Sequence, residues 1–306
     1  MKMKRKVLVI AGPTGVGKTA CSILMAKQLH GEIINGDAMQ VYQGLDIGTA
    51  KITQAEMDGV THHLLDFLTI YDEYNIKIFQ EKGRALIEAI AQQGTLPIIC
   101  GGTGLYIKSL LYDYTFQNEK RDEDFISFLQ SLSNSQLYAL LTHVDPEALT
   151  TIHYNNRQRM IRAIEMAHAG KKKSEIIAEQ HHELLYDAFC IGLTMNRECL
   201  YERINQRVDQ MMEAGLYEEV RNLAQKEPAI WKMQCFQSIG YKEWYAHFIE
   251  GASIEVCVDR IKKNSRSFAK RQFTWFNNQL PMRWYDVQNK DWEKQILKDV
   301  ETWLND

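Results

Sequence analysis

The sequence Gly12-Pro13-Thr14-Gly15-Val16-Gly17-Lys18-Thr19 follows the apolar run at residues 7–10, Val-Leu-Val-Ile, with one alanine between them. The run predicts a short buried strand, and the apolar spacing after the loop predicts a helix. A strand, a G-x-x-x-x-G-K-T loop and a helix in this order are typical of a phosphate-binding loop. Backbone N–H groups, the helix N-terminus and Lys18 would surround a di- or triphosphate, and Thr19 would offer its hydroxyl to Mg²⁺. We therefore predict that residues 12–19 hold a polyphosphate.

Strand and helix patterns alternate along the first 111 residues, which predicts a parallel α/β sheet flanked by helices, of the phosphate-loop NTPase type. Strands are expected at residues 7–10, 32–35, 63–66, 96–100, 188–193 and 282–287. Ligands of such sheets bind at the carboxyl ends of the strands. The phosphate loop, Gly36-Asp37 and the stretch 101–104 should therefore line one edge of the sheet.

The character of the chain changes at residues 112–186, where strand patterns give way to helical ones. Asp145-Pro146 is expected to start one helix, and Ala169-Gly170 is expected to end another. We predict a helical insertion domain over 112–186, with residues 1–111 and 187–306 forming the catalytic core.

Composition places the chain among ordinary globular proteins, with 306 residues, 45% hydrophobic residues and a net charge of −3. Six cysteines occur without a Cys-x-x-Cys pair, which predicts free thiols in a reducing compartment. The basic N-terminus precedes too few apolar residues for a signal peptide, and no apolar run is long enough to span a membrane. We expect a cytoplasmic protein.

Two local clusters of positive charge stand out against the slightly negative total. One occupies residues 157–173 and the other 260–271, and the second is interleaved with aromatic residues. Cations beside aromatic rings suit a phosphate backbone and unstacked bases. A solvated helix face explains such a cluster about equally well.

Asp37 follows the second strand, where a carboxylate is placed for proton transfer or metal binding. A helix-capping or turn aspartate is the alternative. Likewise, Gly101-Gly102-Thr103 is compatible with a plain tight turn. The adjacent pairs His62-His63 and His181-His182 are not expected to bind metal, because neighbouring side chains point apart.

Eight sequence strings together resemble the tRNA dimethylallyltransferase (tRNA isopentenyltransferase) family of the bacterial type. They are the phosphate loop at 12–19, Asp37-x-x-Gln40-Val41-Tyr42, Asp46-Ile47-Gly48-Thr49-Ala50-Lys51, Gly101-Gly102-Thr103-Gly104-Leu105-Tyr106, Asn156-x-x-Arg159-x-x-Arg162-Ala163-x-Glu165, Arg203-Ile204-x-x-Arg207-Val208-Asp209-x-Met211, Gln237-Ser238-Ile239-Gly240-Tyr241-Lys242-Glu243 and Ala269-Lys270-Arg271-Gln272-x-Thr274-Trp275-Phe276. They run in family order through most of the chain.

The resemblance implies a reaction in which dimethylallyl diphosphate gives its prenyl group to N6 of the adenosine 3′ to a tRNA anticodon. It implies Asp37 as general base, Arg207 as a diphosphate contact and Thr103 as an orienting residue near the adenine. It also implies Mg²⁺, diphosphate binding by residues 12–19, and contact with the anticodon stem-loop. The implied tRNA contacts are Asp37, Ala38, Met39, Gln40, Thr103, Gln158, Arg159, Met160, Ile161, Arg162, Gln237, Ser238, Ile239, Gly240, Tyr241 and Lys242. We expect a monomer.

Ala38 departs from the family, which usually has a serine after the catalytic aspartate, so a hydroxyl is lost beside Asp37. Two other functions stay open. One is a small-molecule kinase on the same phosphate-loop fold, supported by the glycine loop. The other is a weakly active tRNA-binding paralogue, prompted by Ala38.

Overall fold

A computed structural model of the chain describes residues 4–114, 116, 122–170, 172–175 and 183–306. Lys171 of the first basic cluster and the pair His181-His182 lie outside these residues. The chain divides into two compact units. One comprises Met1–Tyr112 with Leu184–Asp306, and the other is Asp113–Glu183.

The larger unit contains one six-stranded sheet in the order β3-β2-β4-β1-β5-β6. The strands are β1 Lys6–Ala11, β2 Gly31–Asn35, β3 His62–His63, β4 Leu96–Gly101, β5 Asp187–Thr194 and β6 Arg283–Asp286. Every neighbouring pair is parallel. The predicted parallel α/β fold is therefore confirmed. The third strand is shorter than predicted, because Leu64 and Asp66 have φ values of 60° and 51° and a strand cannot continue through left-handed backbone.

Helices cover both faces of this sheet, and β1 shows how its residues divide between two cores. Val7 and Val9 pack into one core, whereas Leu8 and Ile10 pack into the other. All four side chains are fully buried. Since a central parallel strand is covered on both sides, its sequence is continuously apolar rather than alternating.

In the described parts of the chain we number the α-helices α1 Lys18–Leu29, α2 Gln54–Met57, α3 Ile76–Gln92, α4 Gly104–Leu111, α5 Glu123–Ser131, α6 Asn134–Val144, α7 Arg157–His168, α8 Arg197–Glu213, α9 Leu216–Lys226, α10 Tyr245–Phe248, α11 Ile254–Gln279 and α12 Trp292–Asn305. None of these described helices combines the length and apolar character needed to cross a membrane. The six cysteines are free thiols, as predicted.

The smaller unit packs α5, α6 and α7 around its own apolar core, which includes Leu129, Leu137 and Met160. Asp145 accepts a hydrogen bond from the N–H of Ala148, and a 3-10 turn, Pro146–Thr150, follows it instead of an α-helix. Helix α7 ends at His168, and Gly170 follows with a φ of 87°. The segment thus holds helical structure where helical patterns were read in the sequence.

The carboxyl ends of β2 and β4 approach each other closely at two glycines. The N–H of Gly36 donates to the carbonyl of Cys100 at 2.8 Å. A Cβ placed on Gly101 would lie 2.3 Å from the carbonyl carbon of Gly36, so no side chain fits there. This backbone contact brings the residues after β2 beside those after β4, which places Asp37 near Thr103.

Candidate active site

The phosphate loop connects β1 to α1 by backbone that glycine permits. Gly12 has a φ of 146°, and a Cβ there would lie 2.6 Å from the carbonyl oxygen of Leu193 in β5. Gly17 has a φ of 107° and immediately precedes the first residue of α1, Lys18. Because the first N–H groups of a helix lack intrahelical partners, this end of α1 favours anions.

Two cations at the loop, Lys18 and Arg207, are partly buried. The pKa of Lys18 is lowered to about 8, mainly by burial and also by the guanidinium of Arg207, while Cys100 and the carboxylate of Asp37 oppose the shift. Burial also lowers the pKa of Arg207, and Asp37 again opposes the shift. Arginine nevertheless stays charged in proteins. Two partly buried cations that repel each other favour an anionic ligand beside them.

Asp37 is held by its own loop and by Thr103. Its N–H donates to the side chain of Asn35 at 3.1 Å, and its Oδ1 accepts the N–H of Met39 at 2.8 Å. The hydroxyl of Thr103 accepts the N–H of Ala38 at 3.2 Å. Thr103 therefore contacts the backbone that carries Asp37, which fits an orienting residue. The contact uses only the main chain of Ala38, so it does not need the missing serine hydroxyl.

Gln272 of α11 joins the phosphate loop to the third loop, a role that the sequence analysis missed. Its Oε1 accepts the N–H of Thr14 at 2.8 Å, and its Nε2 donates to the carbonyl of Gly102 at 2.9 Å. Its side chain is buried in a helix otherwise rich in exposed cations. The N–H of Thr14 therefore points toward the side chain of Gln272. The sequence signal that could have identified Gln272 is a polar residue at a core position of a helix rich in basic residues.

These loops surround a cavity of about 400 Å³. Of the predicted site residues, those lining it are Thr14, Asp37, Ala38, Met39, Thr103, Arg207, Gln237, Ser238, Ile239, Gly240 and Lys242. Apolar side chains from α8 and α11 also line it, namely Ile204, Val208, Met211, Ile261 and Phe268. The cavity thus combines a carboxylate and cations with an apolar wall.

Other predicted residues lie outside the cavity lining. Val16 is buried beneath the phosphate loop, and Gln40 donates to the carbonyls of Thr49 and Ala50 instead. Tyr241 is fully buried, with its hydroxyl bonded to Glu219. Its side chain is therefore unavailable to RNA, contrary to the expectation of a direct contact.

The predicted tRNA-contact stretch 158–162 belongs to α7 of the smaller unit. Gln158, Arg159 and Arg162 are exposed there, and Arg162 forms a 2.9 Å ion pair with Glu165. Ile161 is partly buried. Met160 is fully buried in the core of this unit, so its side chain packs among apolar residues and is not available at the surface.

Thr19 is exposed at the start of α1, and within the described residues its hydroxyl has no hydrogen-bond partner. The described residues contain no group of three or more His, Cys, Asp or Glu side chains that could hold a metal. His62 contacts the carbonyl of Val60, and His63 contacts Glu32 at 2.6 Å. A free hydroxyl beside an anion site suits Mg²⁺, which takes most of its oxygen ligands from phosphates and water.

Comparison with known proteins places these features in a family. The sequence model of IPP transferase matches residues 40–279. The chain is 50% identical to the tRNA dimethylallyltransferase of Bacillus subtilis, covering 93% of this chain and 91% of the relative. Its identity to the enzyme of the same name from Anoxybacillus flavithermus is also 50%, with the same two coverages.

Solved structures agree with the sequence comparison. The tRNA isopentenylpyrophosphate transferase of Bacillus halodurans is 39% identical, with a TM-score of 0.75 over 99% of this chain and 97% of that one. A eukaryotic dimethylallyltransferase, described as acting on tRNA, is 31% identical, with a TM-score of 0.83 over 96% of this chain and 77% of that one. By the family match and these identities, the chain belongs to the IPP transferase family of tRNA dimethylallyltransferases.

Proposed function

We propose that this chain transfers the dimethylallyl group from dimethylallyl diphosphate to N6 of the adenosine 3′ to a tRNA anticodon. The observation that carries the proposal is the cavity of about 400 Å³, in which Asp37 and Arg207 meet an apolar wall beside the phosphate loop. An apolar tail, a diphosphate and an amine each find a chemically suitable part of this cavity.

The phosphate loop and its cations stabilise the leaving group. As the prenyl carbon leaves its diphosphate oxygen, the electron pair of the C–O bond stays with diphosphate and its negative charge grows. Lys18, Arg207 and the free N–H groups at the start of α1 neutralise that charge. Thr19 would hold a Mg²⁺ ion on the diphosphate, which would supply further neutralisation of the leaving group.

Asp37 is assigned as the base that acts on the nucleophile, the N6 amine of adenine. The exocyclic amine of adenine is weak because its lone pair is delocalised into the ring. A carboxylate that accepts a hydrogen bond from N6 and then its proton lets the new N–C bond form without leaving a charged amine. Because the Oδ1 of Asp37 already accepts the N–H of Met39, we assign the proton transfer to its Oδ2. Thr103 keeps the loop in place through Ala38.

The tRNA side of the proposal rests on exposed residues of several segments. Gln237, Lys242 and the residues after β2 lie at the cavity, and Arg159 and Arg162 present positive charge on α7. An anticodon loop is single-stranded, so its adenine can leave the stack at modest cost. We further propose that the protein works as a monomer in the cytoplasm, where its RNA substrate is found.

Transfer of label separates the prenyltransferase from a kinase. Incubation of the protein with radiolabelled dimethylallyl diphosphate, Mg²⁺ and unmodified tRNA should yield labelled, acid-insoluble RNA. A tRNA whose target adenosine is replaced by guanosine is the matched control and should stay unlabelled. ATP-dependent phosphorylation of a small metabolite without RNA labelling would contradict the proposal in favour of the kinase.

Asp37→Asn should lower kcat by about 10²–10⁴-fold, since it removes a general base while keeping a similar shape. Its affinity for tRNA, measured by filter binding, should stay near that of the wild type. Asp259→Asn removes an exposed carboxylate from α11 and is the matched control. Unchanged turnover in Asp37→Asn would instead favour a different base, and an inactive wild type would favour the tRNA-binding paralogue.

The lowered pKa of Lys18 predicts a pH dependence of substrate binding. Lys18 with a pKa of about 8 is charged below that pH and becomes neutral above it. The KM for dimethylallyl diphosphate should therefore stay level at lower pH and rise by roughly tenfold per unit above pH 8. Lys18→Arg keeps its charge over this range and should give a flatter profile. Identical profiles for the two proteins up to about pH 9.5 would contradict the assignment.

Removing the cations of α7 should weaken RNA binding through its electrostatic part. Arg159→Ala with Arg162→Ala should lower tRNA affinity and reduce the slope of log K against log salt by about 1–2. Lys294→Ala with Lys298→Ala removes the same charge from α12 and is the control. Equal salt slopes in the two double variants would mean that α7 does not contact tRNA.

A further inference from the structure

Glu219, on α9, forms a cluster of hydrogen bonds outside the cavity that none of the chemistry above uses. Its Oε2 accepts the N–H groups of Asp46 and Ile47 at 3.0 and 2.8 Å. Its Oε1 accepts the N–H of Gly48 at 3.1 Å and the hydroxyl of Tyr241 at 2.6 Å. One carboxylate therefore satisfies three consecutive backbone donors and a buried phenol.

The turn that Glu219 holds is also fixed at its other end. Residues 46–51 form a tight turn, in which the N–H of Ala50 donates to the carbonyl of Ile47 at 2.9 Å. The amide of Gln40 donates to the carbonyls of Thr49 and Ala50 at 3.2 and 3.3 Å. The N–H groups at the start of the turn thus donate to Glu219. The carbonyls at its end accept from Gln40, in the segment that begins with Asp37.

Tyr241 packs so closely against the same turn that a side chain on Gly48 would have no space. A Cβ on Gly48 would lie 2.5 Å from the Tyr241 ring, and one on Gly240 would lie 2.8 Å from the carbonyl oxygen of Gly48. The segment 237–242 therefore rests on residues 48–50. Both segments line the cavity, whereas Glu219 does not.

We propose that Glu219 is a positioning residue that fixes the cavity wall built from residues 48–50 and 237–240, so that this wall matches the tRNA. This inference rests on the proposed function. A carboxylate is suited to the task because it accepts four hydrogen bonds at once, whereas an amide would turn two donors toward backbone N–H groups. Thr14 of the phosphate loop and Arg207, which line the cavity, form no hydrogen bond or ion pair with Glu219 among the described residues.

The proposal predicts that the two substrates respond differently to Glu219→Gln. The KM and the Kd for tRNA should rise by roughly tenfold or more, while the KM for dimethylallyl diphosphate should change by less than about threefold. Glu218→Gln changes an exposed neighbour on the same helix and should leave both values at the wild-type level. A purely structural role would lower thermal stability without separating the two substrates.

Tyr241→Phe supports the test if Glu219→Gln fails to fold, because it removes one of the four hydrogen bonds and keeps the ring. It should raise the Kd for tRNA by about threefold, and its effect should not add fully to that of Glu219→Gln. A wild-type Kd for tRNA in both variants overturns the proposal, as does an equal change for the two substrates. A wild type that binds tRNA without prenylating it refutes the proposed function, while the comparison of Kd values still decides the role of Glu219.

Discussion

The parallel ladder of the sheet is the constraint on which the site depends. Because β2, β4, β1 and β5 all run in one direction, the loops that follow them emerge at one edge. The phosphate loop follows β1, Asp37 follows β2 and Thr103 follows β4. The contact between Gly36 and Gly101 then brings the last two loops together at backbone distance. A side chain at Gly101 would push the two loops apart and separate the carboxylate from the threonine that holds its loop.

Electrostatics divides the cavity into functional parts. Lys18 and Arg207 are partly buried cations, and the charge of Arg207 lowers the pKa of Lys18, so the protein carries an unfavourable interaction that an anionic ligand relieves. Asp37 acts on both in the opposite sense and lies at the same cavity. A bound diphosphate would place negative charge beside Lys18 and Arg207. An amine that loses a proton would place positive charge beside Asp37. In the proposed reaction the phosphate loop stabilises a leaving group, and no phosphoryl group is transferred.

Residues outside the cavity determine its shape. Gln272 joins the phosphate loop to Gly102, and Glu219 joins the turn at 46–48 to Tyr241. Each satisfies several backbone groups at once, most of them at least partly buried, where an unpaired polar group is costly. These contacts hold loops from distant parts of the chain in fixed positions around one ligand space.

The sequence by itself determined the parallel α/β class, the positions of most strands and the residues that follow them. Apolar runs and glycine spacing are local features, so phosphate binding by residues 12–19 was predicted from neighbours alone, whereas the general-base role of Asp37 was implied by the family resemblance. The short third strand escaped prediction because left-handed backbone at Leu64 and Asp66 leaves no clear sequence signal. Only the tertiary structure decided that Met160 and Tyr241 are buried and that Gln272 and Glu219 hold the site. Thr14 and Gln272 are 258 positions apart, and Ile47 and Glu219 are 172 apart. No local pattern links such residues, since their contact exists only after the sheet and helices have packed.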